Sequence, residues 1–275
     1  MHTDLLLVPM AARATGMVAA AVAAEDAGFD GVWTWDHLRD TEGSVVGTPE
    51  AWTVLTAIAA ATRRVMLGPL VLNVINRHPG LLANMAATLQ ELSGGRLLLG
   101  MGAGGGPDLP YAAEQRMIGL PVEPDPARRR RLAEACQVLH RLWSGDRSDF
   151  SGSAYRLTRP VGFLRPDPPP PIVVAGFGPR MAALAGRHAD ALNTQASNPR
   201  LAELVETARA AHASAGRDPP RFLITVFSGL RERWLRPDSP DRVALERLGV
   251  HHLILLVQPP FDAGQIREAG RMLRV

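Results

Sequence analysis

Short apolar runs rich in Leu, Val and Ile alternate along the chain with longer stretches whose apolar positions recur at helical spacing. The first unit joins "LLLVP" to a helix predicted over 15–27, closed by Gly28. The second joins "GVWTW" to a helix over 50–61. The third runs from "VMLGPLVL" into "HPGLLANMAATLQELSGG", where Leu81, Leu82, Met85, Leu89 and Leu92 are expected to form one apolar stripe. Gly94-Gly95 is expected to stop that helix as a C-terminal cap. "RLLLGMG" opens the fourth unit, with a helix over 127–143 on which Leu132, Leu139 and Trp143 share a face.

"PIVVAG", "ADALNTQA", "RFLITVFSG" and "HHLILLV" open four more units, with helices over 180–189, over 199–215, near 240–248 and in "DAGQIREAGRML". Eight strand–helix units with no element left over imply a parallel sheet. At 275 residues the pattern predicts a (β/α)8 TIM barrel, for which ~250 residues is typical. The rhythm breaks between strands 4 and 5. Segments 103–126 and 144–171 are long, rich in Pro and Gly, and are expected to be irregular lids or binding loops. "DPPPPIVVAG" resumes the rhythm at once, so residues 1–275 are read as a single domain.

Composition narrows the class. Apolar residues make up 46% and charged residues 21%, as in an ordinary globular protein. All 30 basic side chains are arginines, yet the formal net charge is only +3 and acids are interspersed. No nucleic-acid partner is expected, and the run from Arg128 to Arg131 reads as a solvated helix face. The single cysteine, Cys136, excludes an internal disulfide and agrees with a reducing compartment. No apolar stretch approaches the ~20 residues that span a bilayer, so no membrane partner is expected. The opening segment carries Asp4 where a leader would be basic, which favours a cytoplasmic protein.

Two glycine loops and one polar pair stand out. "GMGAGG", Gly100 to Gly105, formally fits a dinucleotide fingerprint, but Pro107 and Pro110 break the helix that should follow, and it trails the fourth strand. It reads instead as a barrel-rim loop whose N–H groups face an anion. "AGFGPR", Ala175 to Arg180, follows the fifth strand and leads into a helix. It is either a phosphate site at a helix N-terminus or a tight turn. The usual phosphate position after strands 7 and 8 reads "LVQPPFD", without glycine.

In "GFDGVWTWDHL", strand alternation puts Trp33, Trp35 and His37 on one side and Val32, Thr34 and Asp36 on the other. Asp36-His37 therefore closes the second strand at the C-terminal rim, where barrel active sites form. No H-x-H or H-x-x-x-H spacing supports a metal, and no G-x-S-x-G supports a nucleophilic serine. The pair is either a structural Asp–His contact or a working acid/base and cofactor contact.

Taken together, "AEDAGFDGVWTWDHL", "RRVMLGPLVLNVINRHPGLLANMAATLQELSGGRLLLGMGAGG", "RRRRLAEACQVLHRLWSG" with "FSGSAYRL", and "PPPPIVVAGFGPRMAALAGRHADALN" resemble the luciferase-like monooxygenase superfamily. These are barrels that bind FMN or the deazaflavin F420. The resemblance covers the chain to about residue 195 and implies an oxidoreductase with an isoalloxazine-type cofactor in the barrel mouth. It implies that the loops Gly102, Ala103, Gly104, Gly105 and Ala175, Gly176, Phe177, Gly178, Pro179, Arg180 hold the cofactor's phosphate tail. It further implies a non-prolyl cis peptide at Leu70-Val71 behind the ring, and Asn73 as a hydrogen-bonding neighbour. In the F420-dependent branch, Asp36 contacts the deazaflavin and His37 is the acid/base.

The sequence departs from some F420 enzymes at Gly105, where they carry a glutamate acid, and at Leu70, usually a small residue. The favoured expectation is hydride transfer between F420 and a small organic substrate, with a histidine's ordinary pKa near ~6.5 suiting the coupled proton. The compact length and Asp36-His37 favour this branch. An FMN-dependent monooxygenase with a partner reductase is the alternative, and a non-catalytic cofactor-binding barrel the third. Asn193, Gln195, Ser228 and Gln258 are expected to line the pocket, and a homodimer is expected from the resemblance.

Overall fold

A computed structural model describes residues 1–40, 47–218 and 221–274. The chain opens with β1 (His2–Leu7), α1 (Ala14–Ala27), β2 (Gly31–Thr34) and α2 (Ala51–Ala61). β3 (Met66–Pro69), β4 (Leu72–Asn73), α3 (Pro79–Ser93) and β5 (Leu99–Gly102) follow. Then come α4 (Ala112–Met117), α5 (Asp125–Ser144), and the short strands β6 (Phe150–Ser151) and β7 (Arg156–Leu157). β8 (Ile172–Ala175), α6 (Pro179–His188), β9 (Ala191–Gln195) and α7 (Leu201–Ser214) continue the alternation. It ends with β10 (Leu223–Gly229), α8 (Glu232–Leu235), α9 (Pro240–Arg247), β11 (His252–Val257) and α10 (Ala263–Met272).

Nine strands pair in the order β3-β2-β1-β11-β10-β9-β8-β5-β4, and every pairing among them is parallel. β3 and β4 are two halves of the third strand, separated at Leu70-Val71, whose peptide bond is cis. The two ends of the sheet meet where Leu67 bridges Leu97: the Leu67 N–H donates to the Arg96 carbonyl and the Leu98 N–H to the Leu67 carbonyl, both at 2.9 Å. Eight strand positions around one barrel is the architecture that the alternation predicts.

The core has two parts. Leu6, Trp33, Leu98, Val173 and Ile254 fill the barrel interior, and a larger cluster lies between the strands' outer faces and the helices. Trp33 fits inside because the strand beside it carries Gly68, where a Cβ would come within 2.7 Å of the indole. Alternation thus places Trp33 as read from sequence, in barrel packing.

Two sequence-based expectations change. Elements are left over: α4 stands in the first insertion, the antiparallel β6–β7 pair in the second, and α8 before α9. Each is too short to carry a readable period. On α3, Leu82 and Leu89 are buried while Leu81 and Leu92 are exposed. A helix advances ~100° per residue, so Leu81 and Leu92 lie ~20° apart while Leu82 and Leu89 sit ~80–100° away from Leu81. The apolar positions therefore belong to two neighbouring faces, one buried and one exposed. His252 stands on β11, as "HHLILLV" predicts, and its Nδ1 donates to Asp4 Oδ2 at 2.8 Å.

Candidate active site

The second strand ends at Thr34, and the next residues turn across the barrel's C-terminal rim. Asp36 is buried, and both of its oxygens are taken. Arg77 donates to Oδ2 at 2.7 Å and to Oδ1 at 2.9 Å, and the Asn73 N–H donates to Oδ2 at 3.1 Å. Arg77 also reaches Glu50, the N-cap of α2, whose carboxylate accepts the N–H groups of Trp52 and Thr53. Burial works against the Arg77 charge, and the two carboxylates outweigh it, so the guanidinium is held even more firmly protonated than usual. Asp36 is thus an anchor that ties the end of β2 to the loop after β4.

His37 has a different partner. Its Nδ1 lies 2.9 Å from Glu114 Oε1, and the Leu38 N–H donates to Glu114 Oε2 at 3.1 Å. A carboxylate accepting the backbone N–H with one oxygen takes the ring N–H with the other, which leaves Nε2 as the nitrogen open to a reacting group. The imidazole lies between Trp35, edge-on at 5.9 Å between centroids, and Tyr111, tilted at 4.7 Å. Glu114 sits on α4, within the first insertion, and is buried.

The next residue, Gln115, builds the glycine loop. Its Oε1 accepts the Gly105 N–H at 3.1 Å and Asn73 Nδ2 at 3.4 Å, and its Nε2 donates to the Pro121 carbonyl at 2.9 Å. Arg128 clamps the loop from outside by donating to the Gly104 carbonyl. Gly104 has φ +77, and a Cβ there would come within 2.5 Å of Asn73 Oδ1. Gly102 packs so closely on Val71 that a Cβ would lie 2.5 Å from Cγ2. Leu70, Val71, Asn73 and Gly102–Gly105 therefore form one packed unit against Asp36.

The second glycine loop is its neighbour on the rim. The register Met101↔Val174 brings Gly102 and Ala175, the last residues of β5 and β8, side by side. The Gly176 N–H donates to the Asn193 carbonyl at 2.9 Å, Phe177 is exposed, and Gly178 is the N-cap of α6 with Pro179 in its first turn. Arg180 is exposed at that helix start. Asn193, level with Ala175 in the register, donates Nδ2 to Thr225 Oγ1 at 2.7 Å. Its Oδ1 is fully buried without a donor.

Sequence reasoning named Asp36, His37 and the two loops, and the structure gathers them on one rim. It missed Glu114, Gln115, Tyr111, Arg77 and Arg128. Glu114 is 77 positions from His37, so no local spacing connects them. The long first insertion was the only available signal. The reading of Arg128 to Arg131 as a solvated face is corrected: Arg131 is bonded to Glu123 and stacks on Tyr155, and Arg128 holds the glycine loop. Among the described residues, no group of three or more His, Cys, Asp or Glu side chains is placed to hold a metal ion.

The two adjoining glycine loops, the start of α6 and the carboxylate-held histidine thus share the C-terminal rim of a parallel α/β barrel. The chain belongs to the luciferase-like monooxygenase family, whose model matches residues 3–265. It is similar to an F420-dependent glucose-6-phosphate dehydrogenase of Nakamurella multipartita, 38% identical over 63% of this chain and 50% of that protein. An F420-dependent hydroxymycolic acid dehydrogenase of Mycobacterium tuberculosis is 36% identical over 75% of this chain and 56% of that protein. The chain thus spans about half the length of these relatives. A solved F420-dependent secondary alcohol dehydrogenase, in complex with an F420-acetone adduct, shares the fold over 100% of both chains with a TM-score of 0.82 at 20% identity.

Proposed function

We infer that the protein is an F420-dependent oxidoreductase acting on a small organic substrate. One observation carries the reading: at the barrel rim, His37 is held through Nδ1 by buried Glu114, flanked by two aromatic rings, with Nε2 left for proton transfer. The relatives named as F420-dependent, matching 63% and 75% of the chain, support it from the side of the cofactor.

The residues present suit such a cofactor. Asn193 Oδ1 is a sealed acceptor at rim level, costly to leave without a donor, and it would take a ring N–H. Val71 on its Gly102 floor would back the ring, with Asn73 beside it. The two adjoining loops and the start of α6 would hold the phosphate. When bound, F420 supplies two-electron hydride chemistry at a carbon centre. This chain's part is positional and acid–base. Asp36, neutralised by Arg77, fixes the rim; Glu114 fixes the His37 ring; Nε2 takes or gives the proton at the substrate oxygen as the carbon is oxidised or reduced. Tyr111 and Trp35 flank the ring and limit its rotation.

The test is titration of the purified protein with F420 and with FMN, followed by turnover of the His37→Ala variant. The expected result is F420 binding in the variant as in wild type, with turnover reduced on the order of 10²–10⁴-fold. Tight FMN binding without F420 binding overturns the cofactor assignment, and unchanged turnover overturns the role of His37. A cytoplasmic homodimer goes with this reading, supported by the single buried cysteine and by exposed Leu81 and Leu92 on α3.

A further inference from the structure

Helix α4 is six residues long, too short to hold itself together, and its buried residues are Ala112, Glu114 and Gln115. Glu114 faces His37, whereas Gln115 faces the first glycine loop. Every polar atom of the Gln115 amide is used. Oε1 accepts the Gly105 N–H at 3.1 Å and Asn73 Nδ2 at 3.4 Å, while Nε2 donates to the Pro121 carbonyl at 2.9 Å. Donors on one side and a carbonyl on the other suit a primary amide rather than a carboxylate. A carboxylate would set an oxygen against the Pro121 carbonyl, and a methionine would leave every partner unmatched.

These contacts close a circuit. Asp36 and His37 are neighbours in the chain, as are Glu114 and Gln115. His37 meets Glu114 at 2.9 Å, Gln115 meets Asn73, and the Asn73 N–H returns to Asp36 Oδ2 at 3.1 Å. The glycine loop enters the same circuit a second time, through packing. At Gly105 a Cβ would lie 2.6 Å from the Ala112 backbone nitrogen and 2.8 Å from the Tyr111 carbonyl carbon, so the loop rests directly on the start of α4. Tyr111 in turn lies against the His37 ring, with 4.7 Å between centroids. A displacement of the loop therefore reaches the imidazole both through hydrogen bonds and through close packing. Contacts packed this tightly transmit a shift rather than absorb it.

We propose that Gln115 is a positioning residue that joins the first glycine loop to His37, holding the segment assigned to the cofactor in register with the assigned acid/base. This rests on the roles inferred above for the loop and for His37. Gln115 acts only through its neighbours. Its loss removes an anchor from the loop and a support from His37 together, so cofactor affinity and the rate at saturating cofactor fall as a pair. Loss of Glu114 differs, because it leaves the loop's own bonds in place.

The experiment uses three variants. Gln115→Met is near in size but makes no hydrogen bond, Gln115→Glu keeps only the acceptor, and Gly105→Ala presses on α4 from the loop side. The cofactor-free proteins are read first, by nitrogen NMR of isotope-labelled histidine, with the His37 signals identified by their absence in His37→Ala. In wild type the neutral His37 ring is expected to carry its proton on Nδ1. In Gln115→Met and Gly105→Ala both of its nitrogen signals move toward a mixture of tautomers, and Gln115→Glu lies between these and wild type. F420 titration and kcat at saturating F420 follow, and Gln115→Met is expected to weaken binding and lower kcat, each on the order of tenfold. Unmoved His37 signals in folded Gln115→Met, or a wild-type kcat once F420 is saturating, overturn the proposal. If Gln115→Met does not fold, Gly105→Ala and Gln115→Glu decide by the same two readouts. Absence of F420 binding to wild type overturns the cofactor reading instead, and the histidine signals still decide whether Gln115 positions His37.

Discussion

Glu114 decides what His37 is able to do. Without it the imidazole is free to turn about its side-chain bonds and to exchange tautomers, and the Leu38 N–H loses its acceptor in a largely buried place. In the role proposed for His37 the contact is to Nδ1, away from the nitrogen that would react, which makes Glu114 a positioning residue. Its loss acts on kcat more than on cofactor binding. Glu114→Ala is expected to lower kcat on the order of 10²-fold, in keeping with removal of the orienting carboxylate from a catalytic histidine, while F420 affinity holds. Glu114→Gln keeps an acceptor for the Nδ1–H but not the charge, so it recovers part of the rate and moves the pH profile of kcat/KM. Steady-state kinetics across pH with a fluorescence titration beside it separates these outcomes; equal losses in both variants with an unmoved profile would rule the role out. At Gly105 the resemblance leads one to expect the glutamate of some F420 enzymes, and the sequence offers none there. The carboxylate on His37 comes instead from nine residues further on, delivered by a helix of six residues.

The elements were legible wherever a period had room to show itself. α1, α2, α3 and α5 each run eleven residues or more, and all four were read to within two residues at their ends. α4 and the β6–β7 pair were not, because six-residue and two-residue elements have no face of their own and form only against the barrel. Arg96 shows a further kind of information absent from patterning. It is buried without a carboxylate, and it donates to the carbonyls of Ser93, Val65, Ala59 and Thr62 and to the Thr62 hydroxyl. It thereby ties off the end of α2 where the sheet closes. α3 carries the prediction at this scale. Leu81 and Leu92, at 60% and 64% exposure, point away from the sheet with half-buried Met85 between them. An exposed apolar stripe of this kind is suited to a second copy of the chain. Leu92→Glu makes no cavity in the monomer, so its melting temperature is expected to stay within a few degrees while the proposed dimer is lost. Light scattering coupled to size-exclusion chromatography reads the outcome directly, and a dimer that persists in the variant places the interface elsewhere.

At the scale of the molecule, the site was legible because a barrel converts strand order into a ring. Once eight units are counted, Asp36-His37 and two loops far apart in sequence must share one rim. What stayed hidden were contacts set by loop packing, such as Arg77 on Asp36, and one contact inside the ring itself. Asp4 is fully buried in the barrel, where it accepts Trp33 Nε1–H and His252 Nδ1–H, each at 2.8 Å. Gly31 leaves room for its carboxylate: a Cβ there would come within 2.7 Å of Asp4 Cγ. The contact joins the first, second and last barrel strands, so it spans almost the whole chain. Burial disfavours the charged His252 ring, but the hydrogen bond and charge of Asp4, aided by Asp30, outweigh it and raise its pKa above the ordinary value. A histidine with a raised folded-state pKa contributes stability that is fully present below ~6.5 and is lost as pH climbs through the raised value. Above that pH the Asp4 carboxylate is left buried without a cation. His251 and His188 have the opposite shift, chiefly from burial, and their contribution fades on acidification instead. The His252 effect is therefore read as a difference between proteins. Wild type is expected to exceed His252→Gln in unfolding free energy by more at pH ~6 than at pH ~9. Urea unfolding of both at the two pH values tests it, and a gap that is constant or wider at the higher pH contradicts the assignment.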